Sequence, residues 1–165
     1  MEISEPYNLI INKLLSALRI KLGDRLVSFL VYGSVARGEV RKDSDIDMLI
    51  IVRGLPKSRL RRQEFFEEVE EEVEEELKEF WKKGFYISFS PIIKTPEEAL
   101  RLSPLYLDMV DDAIILYDKE DFFKRVLDRL KGKLKEFGAR KVKLGKRWYW
   151  ILKERYEFGE VINFE

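Results

Sequence analysis

The chain has 165 residues, 31 Lys plus Arg balanced by 31 Asp plus Glu, 45% apolar residues, and neither Cys nor His. The absent residue types exclude disulfides, thiol nucleophiles, the usual nitrogen- and sulfur-ligated zinc sites and any Ser/His/Asp triad, so catalysis has to use carboxylates, hydroxyls, Lys or Arg. The length suits one ordinary domain, zero formal charge argues against indiscriminate coating of nucleic acid, and the longest apolar run near the middle, Met48 to Val52, falls far short of the roughly 18 residues of a membrane span.

In chain order, Tyr7, Ile10, Ile11, Leu14, Leu15 and Leu18 recur at steps of three and four, which predicts a helix from about Pro6 to Leu22 closed by Gly23. Arg25 to Tyr32 (RLVSFLVY) is a short apolar run rich in β-formers, a buried strand ended by Gly33. Asp45 to Val52 (DIDMLIIV) reads as a second buried strand with carboxylates at its entrance. Lys57 to Lys83 is strongly helical: Phe66, Val69, Val73, Leu77 and Phe80 form the apolar stripe, and the ten Glu between Glu64 and Glu79 cover the solvated face. Gly84 breaks it. Phe85 to Ile93 predicts a third strand, with Pro91 marking an edge or a strand end.

Thr95, Pro96 and Glu98 are the cap, first residue and capping-box partner of a short helix. Ala113 to Tyr117 is a fourth strand and Asp121 to Phe137 another amphipathic helix, ending at Gly138. Helices alternating with strands indicate a layered α/β domain over residues 1–138. Residues 139–165 form a basic, aromatic tail expected to be irregular and to pack on the same domain. Within it, Trp148 and Trp150 could stack on bases while Lys146, Arg147, Lys153 and Arg155 hold phosphates, or the two Trp could pin the tail to the domain. The acidic start, MEISEPYN, carries no visible secretory signal, so the expected location is the cytoplasm. Charged residues at 38% beside only four Asn or Gln suggest a thermophilic source.

The chemistry is concentrated between Gly33 and Val52. On a strand the side-chain period of two puts Asp45 and Asp47 on one face, with Ile46 and Met48 directed into a core. Two carboxylates aimed at one point repel unless a cation lies between them, and hard oxygen ligands predict Mg²⁺ or Mn²⁺. Gly33 and Ser34 follow directly on the first strand, ten residues before Asp45. If the two strands are antiparallel neighbours, both groups meet at one end of the sheet. Ser34 and the amides after it could then cradle phosphate oxygens, Gly33 would admit close backbone approach, and Arg37, Arg41 and Lys42 would add positive charge. A Walker phosphate loop is excluded, because GSVARG continues with Glu39 and Val40 rather than Lys and Ser or Thr.

These residues resemble the DNA polymerase β-like nucleotidyltransferase superfamily, in particular its minimal nucleotidyltransferases, whose signature is Gly-Ser, ten residues, then Asp-x-Asp. Here it reads Gly33, Ser34, Asp45 and Asp47, with Ala36 to Gly38 (ARG) and Ser44 as common embellishments. The tail resembles that of archaeal members. The resemblance implies a nucleotidyltransferase fold, a small mixed sheet with an antiparallel first strand pair flanked by helices. It also implies transfer of a nucleoside monophosphate from an NTP, expected to be ATP, to a hydroxyl on a protein or RNA, with release of pyrophosphate. Asp45 and Asp47 would be the catalytic metal ligands; Gly33, Ser34, Arg37 and Lys42 would bind the nucleotide.

The superfamily pattern places a third carboxylate on the next core strand, at Ser90 or Ser88 here, and both are hydroxyls. Asp43, or an acid from Asp108, Asp111 and Asp112, could compensate. A non-catalytic nucleotide- or partner-binding protein is therefore the alternative reading. The resemblance offers one example, the antitoxin half of a module with a HEPN-domain toxin; homo-oligomerisation is left open.

Overall fold

The structure, a computed structural model, describes residues 3–145 and 147–163. Its centre is a four-stranded mixed sheet of β1 (Leu26–Tyr32), β2 (Asp45–Val52), β3 (Ser88–Lys94) and β4 (Ile114–Asp118) in the order β3-β2-β1-β4. β1 runs antiparallel to both β2 and β4, whereas β2 and β3 are parallel. This is a mixed α/β architecture with an antiparallel first strand pair, as the sequence pattern implied.

The two faces of β2 explain its run of apolar residues. Ile46, Met48, Ile50 and Val52 enter one core with α1 (Tyr7–Leu22), α3 (Arg59–Glu71) and α4 (Glu74–Lys82). Leu49 and Ile51 enter the other with α5 (Pro96–Leu100), a 3-10 turn at Pro104–Asp108, and α6 (Phe122–Glu136). Helices on both faces bury the central strands completely, so alternation disappears from their sequence. Asp45 and Asp47 lie on the second face, at the strand end that neither helix layer closes.

The expected long helix divides into α3 and α4 around Glu72 and Val73. From Glu64 to Glu76 no cation intervenes, so Glu side chains one turn apart repel one another. The break also lets both apolar stripes reach the core, with Phe66, Val69, Val73 and Leu77 all buried. β3 is an edge strand, as Pro91 suggested, and its flank is covered: buried Arg62 of α3 donates to the Ile93 carbonyl at 3.1 Å and to both carboxylate oxygens of Glu98 at 2.7 and 2.9 Å. Glu98 completes the capping box with Thr95.

The expectation of an irregular tail is corrected. β5 (Arg140–Leu144) and β6 (Arg147–Ile151) pair as an antiparallel hairpin, and residues 152–163 carry no helix or strand. Val142 and Leu144 alternate with Lys in β5, β6 is rich in aromatic β-formers, and Gly145 supplies the positive φ of the turn. Trp150 donates from Nε1 to the Leu107 carbonyl at 3.2 Å, and Trp148 instead lies between Lys141 and Lys143, each ammonium 5.1 Å from its ring. The two Trp thus share a strand face, and Trp150 is the one that bonds the domain. Lys146, named above as a phosphate contact, lies outside the described residues.

Candidate active site

Strand register brings the separated motif halves together. Tyr32, the last residue of β1, pairs with Asp47, and the chain turns immediately into a single helical turn, α2 (Gly33–Ala36), closed by the Arg37 amide on the Gly33 carbonyl. Gly33 has φ +74°, and a Cβ there would stand 2.4 Å from Asp47 Oδ2. Glycine is required twice over, by backbone conformation and by the approach of the carboxylate. Tyr32, Gly33, Ser34, Arg37, Asp47 and Asp108 line a cavity of about 400 Å³.

Burial pushes the Asp47 carboxyl above its ordinary range, and the nearby charges of Asp45 and Asp108 add to that rise; a hydrogen bond from Ser90 and the charge of Arg37 oppose it. Burial, with the charges of Asp47 and Asp108, also pushes the Tyr32 phenol up to about 12. The cavity therefore concentrates negative charge in a partly desolvated place, where a cation would relieve it. The donor set fits a hard divalent ion: exposed Asp45 and half-buried Asp47 come from alternate positions of one strand, and both accept from hydroxyls of the neighbouring strand.

Those hydroxyls are Ser88 and Ser90. In the parallel β2–β3 ladder Asp45 pairs with Ser88 and Asp47 with Ser90, so a serine stands beside each carboxylate. Among the described residues no cluster of three acidic side chains forms a ready metal cage. Of the acids that could compensate, Asp111 and Asp112 are held by Lys141 Nζ at 3.6 and 2.9 Å, and Asp43 is exposed in the turn before β2. Asp108 is the one that lines the cavity.

Four of the residues singled out from sequence meet here: Gly33, Ser34, Arg37 and Asp47, with Asp45 two positions along β2. Arg37 also bonds Glu39 through Nε at 3.0 Å. Lys42 is not brought to the cavity. Its loop is anchored by Tyr7 donating to the Arg41 carbonyl and by the Tyr86 amide donating to the Lys42 carbonyl, and its ammonium lies 5.6 Å from the Phe85 ring centre. Tyr32 went unmarked by sequence reasoning, since it reads as one more β-former; only its pairing with Asp47 exposes its position.

A mixed sheet carrying a carboxylate pair against a Gly-Ser turn is the frame of a nucleotidyltransferase. The match to the nucleotidyltransferase domain family extends over residues 11–163, and the chain belongs to that family, whose reaction is transfer of a nucleoside monophosphate from an NTP. A Methanocaldococcus jannaschii protein provisionally named protein adenylyltransferase MJ1305 is 31% identical over 143 residues, which span 86% of this chain and 92% of the relative. Two solved structures align less closely. One is described as a toxin-antitoxin with AMP-PNP (15% identity, 78% of this chain and 92% of the other, TM-score 0.46). The other is a tri-AMPylated Shewanella oneidensis HEPN toxin in complex with MNT antitoxin (13% identity, 79% and 91%, TM-score 0.46). No helix among the described residues is long and apolar enough to cross a membrane.

Proposed function

We propose that this protein transfers AMP from ATP to a hydroxyl of a protein acceptor and releases pyrophosphate, with Asp45 and Asp47 as metal ligands and catalytic residues. The observation that carries the reading is the meeting of Asp47 with Gly33 across the β1–β2 register. The family membership and the protein adenylyltransferase relative support it. Mg²⁺ is the expected ion, with Mn²⁺ able to substitute; bound there, it would neutralise phosphate charge and orient the reacting groups.

The chain's own residues would divide the work. Ser34 and the α2 backbone hold the terminal phosphates, Gly33 leaves room for them beside Asp47, and Arg37 stabilises the charge that accumulates on the leaving group. A new bond forms between the acceptor oxygen and the α-phosphorus as the bond to the bridging oxygen breaks. Pyrophosphate carries away that oxygen, and the hydroxyl proton passes to solvent. Asp108 supplies the negative charge that Ser90 does not.

The test is label transfer from α-labelled ATP, CTP, GTP and UTP with Mg²⁺ onto proteins and RNA of a source-cell extract, with Asp45→Asn/Asp47→Asn as the control. Label on protein from ATP alone, lost in the control, is expected. Intact protein that labels nothing would refute the reading. One observation favours a second one: Ser90 stands beside Asp47 where the superfamily pattern has an acid. In that reading the protein binds nucleotide or a partner, such as a HEPN-domain toxin, without catalysis. A Ser90→Asp variant that gains transfer absent from the native protein would select it.

A further inference from the structure

A cavity larger than the catalytic one lies outside it. It measures about 710 Å³ and follows β3 from Pro91 to Lys94, walled by the start of α3 on one side and by Arg101 to Leu105 on the other. Its floor is apolar, with Ile92, Leu102 and Leu105. Its charge is one-sided: Lys57, Arg59, Lys94 and Arg101 line it and none of them has an ion pair among the described residues, while the single acid, Glu98, is bonded to Arg62. Lys94 is the telling residue. It is half-buried, with its ammonium 5.2 Å from the Tyr106 ring centre, and burial lowers its pKa while the charge of Glu98, already bonded to Arg62, opposes that only in part.

The cavity shares two elements with the catalytic site. Pro91 follows Ser90, the β3 neighbour of Asp47, and the turn whose Leu105 lines the basic cavity ends in Asp108, which lines the catalytic one. Sheet order then assigns the sides. The nucleotide's terminal phosphates belong on the β1 side of Asp47, at Gly33 and Ser34. An in-line displacement brings the attacking oxygen in opposite the leaving group, hence from the β3 side. An extended acceptor with its hydroxyl at Asp47 would reach Ile92 after about 7 Å and Lys94 after about 13 Å, two and four residues along at about 3.3 Å each.

We propose that this cavity is the acceptor subsite and that it takes an acidic protein segment, with Asp or Glu side chains two to four residues from the hydroxyl that receives the nucleotide. The proposal rests on the protein-acceptor reading above and names what that acceptor must look like. Pro91 and Arg62 cover the β3 edge, so recognition is by side-chain charge rather than by strand addition.

The experiment measures binding and transfer separately. Fluorescent ten-residue peptides carrying one Tyr and one Ser, followed by Glu, Gln or Lys at the next four positions, are titrated against the full chain at low salt, beside a ten-nucleotide single-stranded RNA. The variants are Lys94→Met/Arg101→Glu and, with the same number of exposed cations altered elsewhere, Lys131→Met/Lys135→Glu on α6; thermal unfolding checks that each folds. The expected result is tenfold or tighter binding of the Glu peptide over the Gln peptide, reduced about tenfold by the cavity variant and less than twofold by the α6 variant. Equal binding of Glu and Gln peptides, equal weakening by both variants, or preferential RNA binding lost in the cavity variant would each overturn it. Label transfer from α-labelled ATP to the same peptides separates the two readings. Charge-selective binding without transfer removes the transferase and keeps the acidic docking site, whereas equal labelling of Glu and Gln peptides keeps the transferase and removes the site.

Discussion

Replacing Gly33 by Ala perturbs the candidate site through two effects that can be separated. At φ +74° an L-residue is strained by about 1–2 kcal/mol, which in a chain of this size lowers the unfolding midpoint by about 2–8 °C. The second effect is local. The new Cβ would lie 2.4 Å from Asp47 Oδ2, 3.3 Å from Cγ and 3.4 Å from Cβ. To restore ordinary contact, the carboxylate oxygen has to retreat by about 1 Å, and a misplacement of that size at reacting groups costs about 100-fold in rate.

Gly38→Ala is the matching control, because Gly38 has φ +71° with nothing within 4 Å of its would-be Cβ. Both variants should lose similar stability in thermal unfolding, while label transfer from α-labelled ATP falls about 100-fold in Gly33→Ala and stays within threefold in Gly38→Ala. A folded Gly33→Ala protein that transfers label at the native rate would refute the assignment of Asp47 to the chemistry.

Three further outcomes are expected. Asp108→Asn should lower transfer at least tenfold with an unchanged unfolding midpoint, because it removes a cavity carboxylate without emptying a packed position; unchanged transfer would count against its compensating for Ser90. Trp150→Ala should lower the maximal transfer rate severalfold while leaving nucleotide binding, read by fluorescence titration, nearly unaffected, since its indole holds the Leu107 carbonyl beside Asp108. Arg62→Ala should cost about 2–3 kcal/mol in urea unfolding, as Glu98 and two backbone carbonyls lose their donor. The same variant has a pH signature. Arg62 holds Glu98 at about 2 against an ordinary 4.5, so the unfolded chain binds the extra proton between those values; native stability should fall on acidification through that window, by about 1 kcal/mol given the partly exposed carboxylate, and the variant should lose this slope.

Local rules made much of this protein legible from its residues alone. The short apolar run from Asp45 to Val52 reads as a strand buried on both faces, its period of two aligns the two carboxylates, and Thr95, Pro96 and Glu98 spell a helix start whose capping box forms as read. Composition is equally direct: a chain without Cys and His leaves carboxylates, hydroxyls, Lys and Arg as its reactive groups. What needed the tertiary structure was every relation between distant segments. Only the β1–β2 register sets Asp47 against Gly33, and only the β2–β3 ladder puts Ser90 beside Asp47.

The division of labour among acids shows the same limit. Asp108, Asp111 and Asp112 are near neighbours in sequence, yet Lys141 of the hairpin takes two of them and the third lines the cavity. Lys42, close to the motif in sequence, is turned toward Phe85 by its loop anchors. The basic cavity has no sequence signature, because its cations come from three separate segments that only the packing of α3, β3 and the α5 loop brings together. Periodicity and capping act within one turn or one strand, and a sequence displays them directly. Register, charge pairing and cavities depend on which segments fold beside one another, which only the packed chain decides.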